Sequence, residues 1–92
     1  MFDNELFGNR LLELRKKKKV SQTELGKLLG VSATQIGDME HGESTTSMAR
    51  LYLLCKYFEV SSDYLLGLTG DPSPRFEEES GEAEDGTAAL SL

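Results

Sequence analysis

An all-α fold of five short helices is the expectation for this 92-residue chain. Three observations carry it. Apolar residues recur three and four positions apart, and no stretch alternates in the manner of a strand. Two of the apolar runs open on Ser-x-x-Glu or Ser-x-x-Gln, the pairing that caps helix starts. Glycines follow several of them, where a left-handed residue ends a helix.

The first helix starts at Asp3 or Asn4, places Leu6, Phe7, Leu11 and Leu14 on one face, and runs out in "RKKKK". Ser21 caps the second, with Glu24 completing a capping box, Leu25, Leu28 and Leu29 inside and Gly30 as the stop. Ser32 caps the third, with Gln35 completing a second box. On it Ile36 and Met39 share the inner side with Ser32 and Glu40, while Thr34, Gly37 and Asp38 face away and Ala33 and Gln35 flank them. "HGESTTS" is a loop. Ser47 caps the fourth helix, whose apolar residues are Met48, Leu51, Tyr52, Leu54, Cys55 and Phe58. "SDYLLG" makes a short fifth, closed by Gly67.

The formal charge of −6 looks wrong for a nucleic-acid binder. Up to Gly70, however, nine basic residues balance nine acidic ones, and from Asp71 onward seven acids stand against Arg75. Charge segregated in this way says more about local fields than the total does. Residues 70–92 hold two prolines, acidic runs and one aromatic, Phe76, too little apolar surface to offset ordering entropy. The expected organisation is a folded domain over 1–69 and a disordered acidic tail over 70–92. Cys55 is alone, among Leu53, Leu54 and Tyr57, and reads as a buried, inert thiol. One cysteine and one histidine make no metal site, and the expected cofactor is none. No signal peptide and no spanning segment is evident, so a cytoplasmic, non-membrane location is expected.

The stretches "RLLELRKKKKVSQTELGKLLGVSATQIGDMEHGE" and "LLCKYFEVSSDYLLG" resemble the phage-repressor and Cro-like helix-turn-helix family of bacterial transcription regulators. Gln22, Leu25, Gly26, Gly30, Val31, Ser32, Ile36 and Glu40 fall at that family's spacings. The resemblance implies a five-helix lambda-repressor-like domain that binds DNA, with the helix Ser32 to Glu40 in the major groove. It also implies structural roles. Gly26 allows two helices to cross closely, Gly30 makes the turn, Ile36 enters the core, and Glu40 pairs with Arg15 at the end of the first helix.

The expected reading helix carries no Lys or Arg from Ser32 to Glu40. It need not, because phosphate contacts supply most of the affinity and base edges supply the sequence choice. For the grip, the candidates are the N-terminal N–H groups of the second and third helices, Gln22 at the family's phosphate-touching position, and Lys17 and Lys18 within the run Lys16 to Lys19. For reading, Thr34 and Gln35 lead, with Ser32, Ala33 and Asp38 beside them: Gln pairs with adenine, Ala and the Thr methyl touch thymine, and Asp accepts from cytosine. The loop departs from the family pattern, with Glu43 at the usual Lys position; either the operator is bound weakly unless sites are paired, or a phosphate contact runs through the hydroxyls of Ser44, Thr45 and Thr46.

The function that follows is a sequence-specific double-stranded DNA-binding transcription regulator, a repressor, acting as a homodimer on a pseudo-palindromic operator. Tyr57, Tyr64, Leu65 and Leu68 are the expected dimer surface. The competing reading is an antitoxin-type or adaptor protein whose tail binds a protein partner, motivated by Phe76 in its acidic setting. Ser/His/Asp sets and phosphate-cradling glycine loops are missing from the sequence, which argues against an enzyme.

Overall fold

The computed structural model describes residues 1–74; the acidic run beyond Pro74, with Phe76 and the partner reading attached to it, lies outside the described residues. Five helices follow in order: α1 (Asn4–Lys18), α2 (Gln22–Leu29), α3 (Ala33–Glu40), α4 (Met48–Phe58) and α5 (Ser62–Leu66). Each start carries a side-chain cap. Asp3 accepts from the Glu5 and Leu6 amides, and Ser47 and Ser61 accept from the residues three ahead. At α2 and α3 both halves of the capping box are made, Ser21 with Glu24 and Ser32 with Gln35. Gly30 ends α2 at φ 77° and Gly67 ends α5 at φ 83°, backbone values that an L side chain resists.

α3 sits against α1 and α2, α5 closes on α1, and α4 touches α2 and α5. The space between is filled by Phe7, Leu11, Leu25, Leu29, Ile36, Met39, Leu54, Cys55, Val60 and Leu65. Two close approaches fix the angles. A Cβ at Gly26 would stand 2.5 Å from the Val31 carbonyl oxygen, so α2 packs directly on the turn and the start of α3. A Cβ at Gly8 would stand 2.6 Å from the Glu40 carbonyl oxygen, so α1 crosses the end of α3 backbone to backbone.

Several apolar positions differ from the sequence reading. Leu28 is 41% exposed, because Gly26, Leu25 and Leu29 face inward and the close approach at Gly26 turns that side of α2 to α3. Met48 and Tyr52 are 84% and 63% exposed. At about 100° per residue, Met48 lies within about 70° of the direction shared by Leu51, Leu54, Cys55 and Phe58. It points to the core side of α4 at an end that none of the described residues covers. Leu65, expected on a dimer surface, is fully buried. Tyr57 and Tyr64 pack on the core, with Lys18 over one ring and Arg10 over the other.

Past residue 69, where the sequence reading ends the domain, the chain stays on it. The buried Ser61 amide donates to the Pro72 carbonyl at 3.1 Å, and the Asp71 amide donates to Thr69 Oγ1 at 3.1 Å.

Candidate nucleic-acid interface

The first three helices are tied by one carboxylate. Glu40 is buried, with its side chain 2% accessible. It accepts from Arg15 Nε, from Arg15 Nη2 at 3.2 Å and from Gln22 Nε2 at 3.0 Å. Arg15 also donates to the Val20 carbonyl at 3.0 Å, closing the α1–α2 connection. Burial without such partners would cost several kcal/mol, so this network fixes the end of α1 and the start of α2 against the end of α3.

Gln22, at the expected phosphate-touching position, thus has one amide hydrogen on Glu40 and one left over. Its path runs past Gly37, where a Cβ would stand 3.4 Å from Nε2. That distance is an ordinary contact, so Gln22 passes Gly37 without requiring a glycine there.

The inner side of α3 is immobilised by Ile36, Met39 and Glu40, all buried. The other side presents Thr34 and Gln35 exposed and Ala33 and Asp38 half-buried, with Ser32 exposed at the cap. Gln35 Oε1 already accepts from the Ser32 amide at 3.0 Å and lies 3.3 Å from Ser32 Oγ. What Gln35 offers outward is its NH2, a donor for base acceptors such as guanine O6 and N7 or thymine O4. A bidentate pair with adenine would require opening the capping box, at a cost of ~1 kcal/mol.

A groove of about 200 Å³ runs beside this face, bordered by Gln35, Ser44, Thr45, Thr46, Ser47 and Arg50. The three expected loop hydroxyl residues thus lie next to Gln35 and next to the start of α4. Arg50 is turned inward, with Nε donating to the Leu29 carbonyl at 2.9 Å and holding the last turn of α2. Arg10 is likewise internal: it donates to the Tyr64 and Thr69 carbonyls and stacks 4.2 Å from the Tyr64 ring centroid. Together with Arg15, all three described arginines hold the fold.

Lys17 and Lys18 lie elsewhere than the loop groove. With Leu14 and Phe58 they border a groove at the far end of α4, and Lys18 Nζ stands 4.9 Å from the Tyr57 ring centroid. The run does lead into the start of α2, through Lys19 at φ 61°.

Sequence reasoning missed Gly8, Arg10 and Arg50 as organisers. Each had a signal. Gly8, Leu11 and Arg15 share one face of α1, so a mid-helix glycine beside Arg15 marks the approach of the helix that carries Glu40. Arg10 follows Phe7 by three and precedes Leu14 by four, and Arg50 precedes Leu54 by four, so both fall on inward stripes. Cys55 is buried as expected, and that burial pushes its thiol pKa up. Among the described residues no group of three His, Cys, Asp or Glu side chains could hold a metal ion, and no helix is long and apolar enough to cross a membrane.

Known proteins share this arrangement. The HTH-type transcriptional regulator YobD of Bacillus subtilis is 33% identical over 72 residues, covering 78% of this chain and 64% of that protein. Repressor protein C2 of Salmonella phage P22 is 39% identical over 64 residues, covering 70% of this chain and 30% of that protein. The chain therefore spans less than two thirds of the length of these relatives. The crystal structure of the P22 c2 repressor with a synthetic operator superposes with a TM-score of 0.63 at 41% identity, covering 66% of this chain and 92% of that one. The model of the helix-turn-helix family matches residues 11–65, more than half of the sequence, with α2, the Gly30 turn and α3 at its centre, and the chain belongs to that family.

Proposed function

We propose that this chain is a sequence-specific double-stranded DNA-binding regulator of transcription, a repressor. In this reading it works as a homodimer in the cytoplasm and binds rather than catalyses. The observation that carries the reading is the two-sidedness of α3. One side is locked by Ile36, Met39 and Glu40, and the other holds Ala33, Thr34, Gln35 and Asp38 toward solvent on a rigid helix. The operator-bound P22 c2 repressor, which shares the fold at 41% identity, supports the same reading.

The helix can read without being basic. Its N–H groups at Ala33 and Thr34 and those of Gln22 and Thr23 offer helix-end donors for phosphate. The spare amide hydrogen of Gln22, the Ser44–Thr46 hydroxyls and Lys17 or Lys18 add to the grip. Thr34 and the NH2 of Gln35 meet base edges, and Ala33 supplies an apolar contact for a thymine methyl. Asp38 suits a cytosine amino group and disfavours other bases there, because an unpaired carboxylate among phosphates is costly.

Measuring affinity across single-base variants of a selected site tests this division. Thr34→Ala or Gln35→Ala should cost ~1–3 kcal/mol at one base position and spare the fold. Replacing Lys17 and Lys18 by Ala should weaken all sequences alike and lower the salt slope by about one unit per lost phosphate contact. Wild-type discrimination in both Thr34→Ala and Gln35→Ala would show that the reading face lies elsewhere.

A further inference from the structure

After α5 the chain runs toward the two lysines assigned to the phosphate grip. Arg10 donates to the Thr69 carbonyl at 2.9 Å. Three residues later the Pro72 carbonyl accepts from the buried Ser61 amide at 3.1 Å. Along α1, Arg10 lies at the level of Tyr64 and Lys18 at the level of Tyr57. Ser61 stands between these two tyrosines in the sequence, so from Thr69 to Pro72 the chain advances toward the C-terminal end of α1. Arg10, Leu14 and Lys17 share one face of that helix, with Lys18 beside them. The face ends in a groove of about 250 Å³ lined by Leu14, Lys17, Lys18 and Phe58. Leu14 and Phe58 are half-buried against the core, and both lysines are exposed. Among the described residues no carboxylate pairs with either lysine. The groove therefore offers an apolar floor under two positive charges.

The sequence beyond Pro74 opens with Arg75, Phe76, Glu77, Glu78 and Glu79. We propose that Phe76 to Glu79 dock in this groove of the same molecule and cover Lys17 and Lys18. The reach suffices. Phe58 is three residues from Ser61, at most ~11 Å away, and the four residues from Pro72 to Phe76 span up to ~14 Å. The chemistry matches in two respects: the Phe76 ring suits Leu14 and Phe58, and the glutamates suit the two ammonium groups. Tethering holds the segment at an effective concentration on the order of millimolar, so a weak contact is enough to fill the groove. The consequence rests on the reading of Lys17 and Lys18 as phosphate contacts. In that reading the glutamates occupy the place of DNA phosphates, and any duplex must first displace them. The affinity for all sequences is lowered alike, and the effect fades as salt screens the charges.

The test compares full-length chains by amide NMR and by affinity for random duplex. One variant is Phe76→Ala, which leaves the charge unchanged. A second neutralises Glu77, Glu78 and Glu79 to Gln. A third removes the same charge farther along, by Glu82→Gln, Glu84→Gln and Asp85→Asn. None of these positions lies in a described helix. Phe76→Ala and the first triple should shift the signals of Leu14, Lys17, Lys18 and Phe58, and the distant triple should leave them in place. Wild-type signals should not change between about 50 μM and 1 mM, because the contact is within one molecule. At about 20 mM salt the first triple should bind random duplex at least threefold more tightly than wild type or the distant triple. That gain should fall below about 1.5-fold near 300 mM salt. Groove signals unmoved by both Phe76→Ala and the first triple overturn the proposal. So do equal effects of the two triples, which would mean charge without docking, and concentration-dependent signals, which would place the segment on another molecule. Groove signals that shift as expected while duplex affinity stays at the wild-type value would sustain the docking and sink the phosphate role of Lys17 and Lys18 instead.

Discussion

The segment from Ser21 to Glu40 and the segment from Ser47 to Pro72 are held by different kinds of contact. In the first, most of what positions the backbone is local: two capping boxes, a left-handed glycine between them, and a glycine where α2 meets the turn. In the second, the decisive contacts come from far along the chain. Arg10 reaches the Tyr64 and Thr69 carbonyls, and Arg50 reaches Leu29. The lesson is that the local geometry of α2, the turn and α3 follows rules confined to twenty residues, while the elements that support them depend on the whole assembly.

The largest effect should come from the buried ion pair that ties the first segment to α1. Arg15→Ala leaves Glu40 buried with Gln22 as its remaining side-chain donor, and should lower stability by ~3–5 kcal/mol in denaturant titration. Arg15→Ala with wild-type stability would mean that the first segment needs no tie to α1. Next comes the helix crossing. Gly8→Ala places a methyl group against the backbone of Met39 and Glu40, which cannot rotate away, and should cost ~1–3 kcal/mol.

The third variant separates the two segments. Arg10→Ala removes charge-assisted bonds to the end of α5 and to the chain beyond it, a loss of ~2 kcal/mol. Cys55 reports it. Its thiol is buried and its pKa is raised, so at neutral pH it is held in the unreactive neutral form, and labelling requires α4 to open. Labelling should quicken by about 30-fold in Arg10→Ala, at ~1.4 kcal/mol per factor of ten. An unchanged rate would mean that the second segment does not depend on Arg10. Ser21→Ala should show the smallest loss, ~1 kcal/mol from one cap, with the Cys55 opening rate altered no more than global stability requires.

The same contrast explains what could be read in advance. Helix starts at Ser21, Ser32 and Ser47 were legible because a cap and its amide lie three residues apart in sequence. Gly30 was legible because the chain must turn there. The Arg15–Glu40 pair came from the family resemblance, since the two residues stand 25 positions apart and carry no local sign of it. Leu28 was placed inside and lies exposed, and the apolar Met48 and Tyr52 are exposed as well, because periodicity assigns a face to an apolar residue but does not say whether another element lies over it. At Leu28 a glycine had taken the inward position, and at Met48 the helix extends past its cover. The candidate reading residues were legible as a face, yet the engagement of Gln35 Oε1 by Ser32 and the inward turn of Gln22 are matters of geometry that spacing does not encode.

In the function proposed here, an α3 without positive charge chooses sequence while other groups of the domain hold phosphate, two copies acting together. Selection of bound duplexes from a random pool by the full chain tests it most directly. One pseudo-palindrome should be enriched, with half-sites about one helical turn apart. Thr34→Ala should relax the preference at the same position in both halves. Enrichment of no sequence, or of an asymmetric site bound by a single copy, would contradict it.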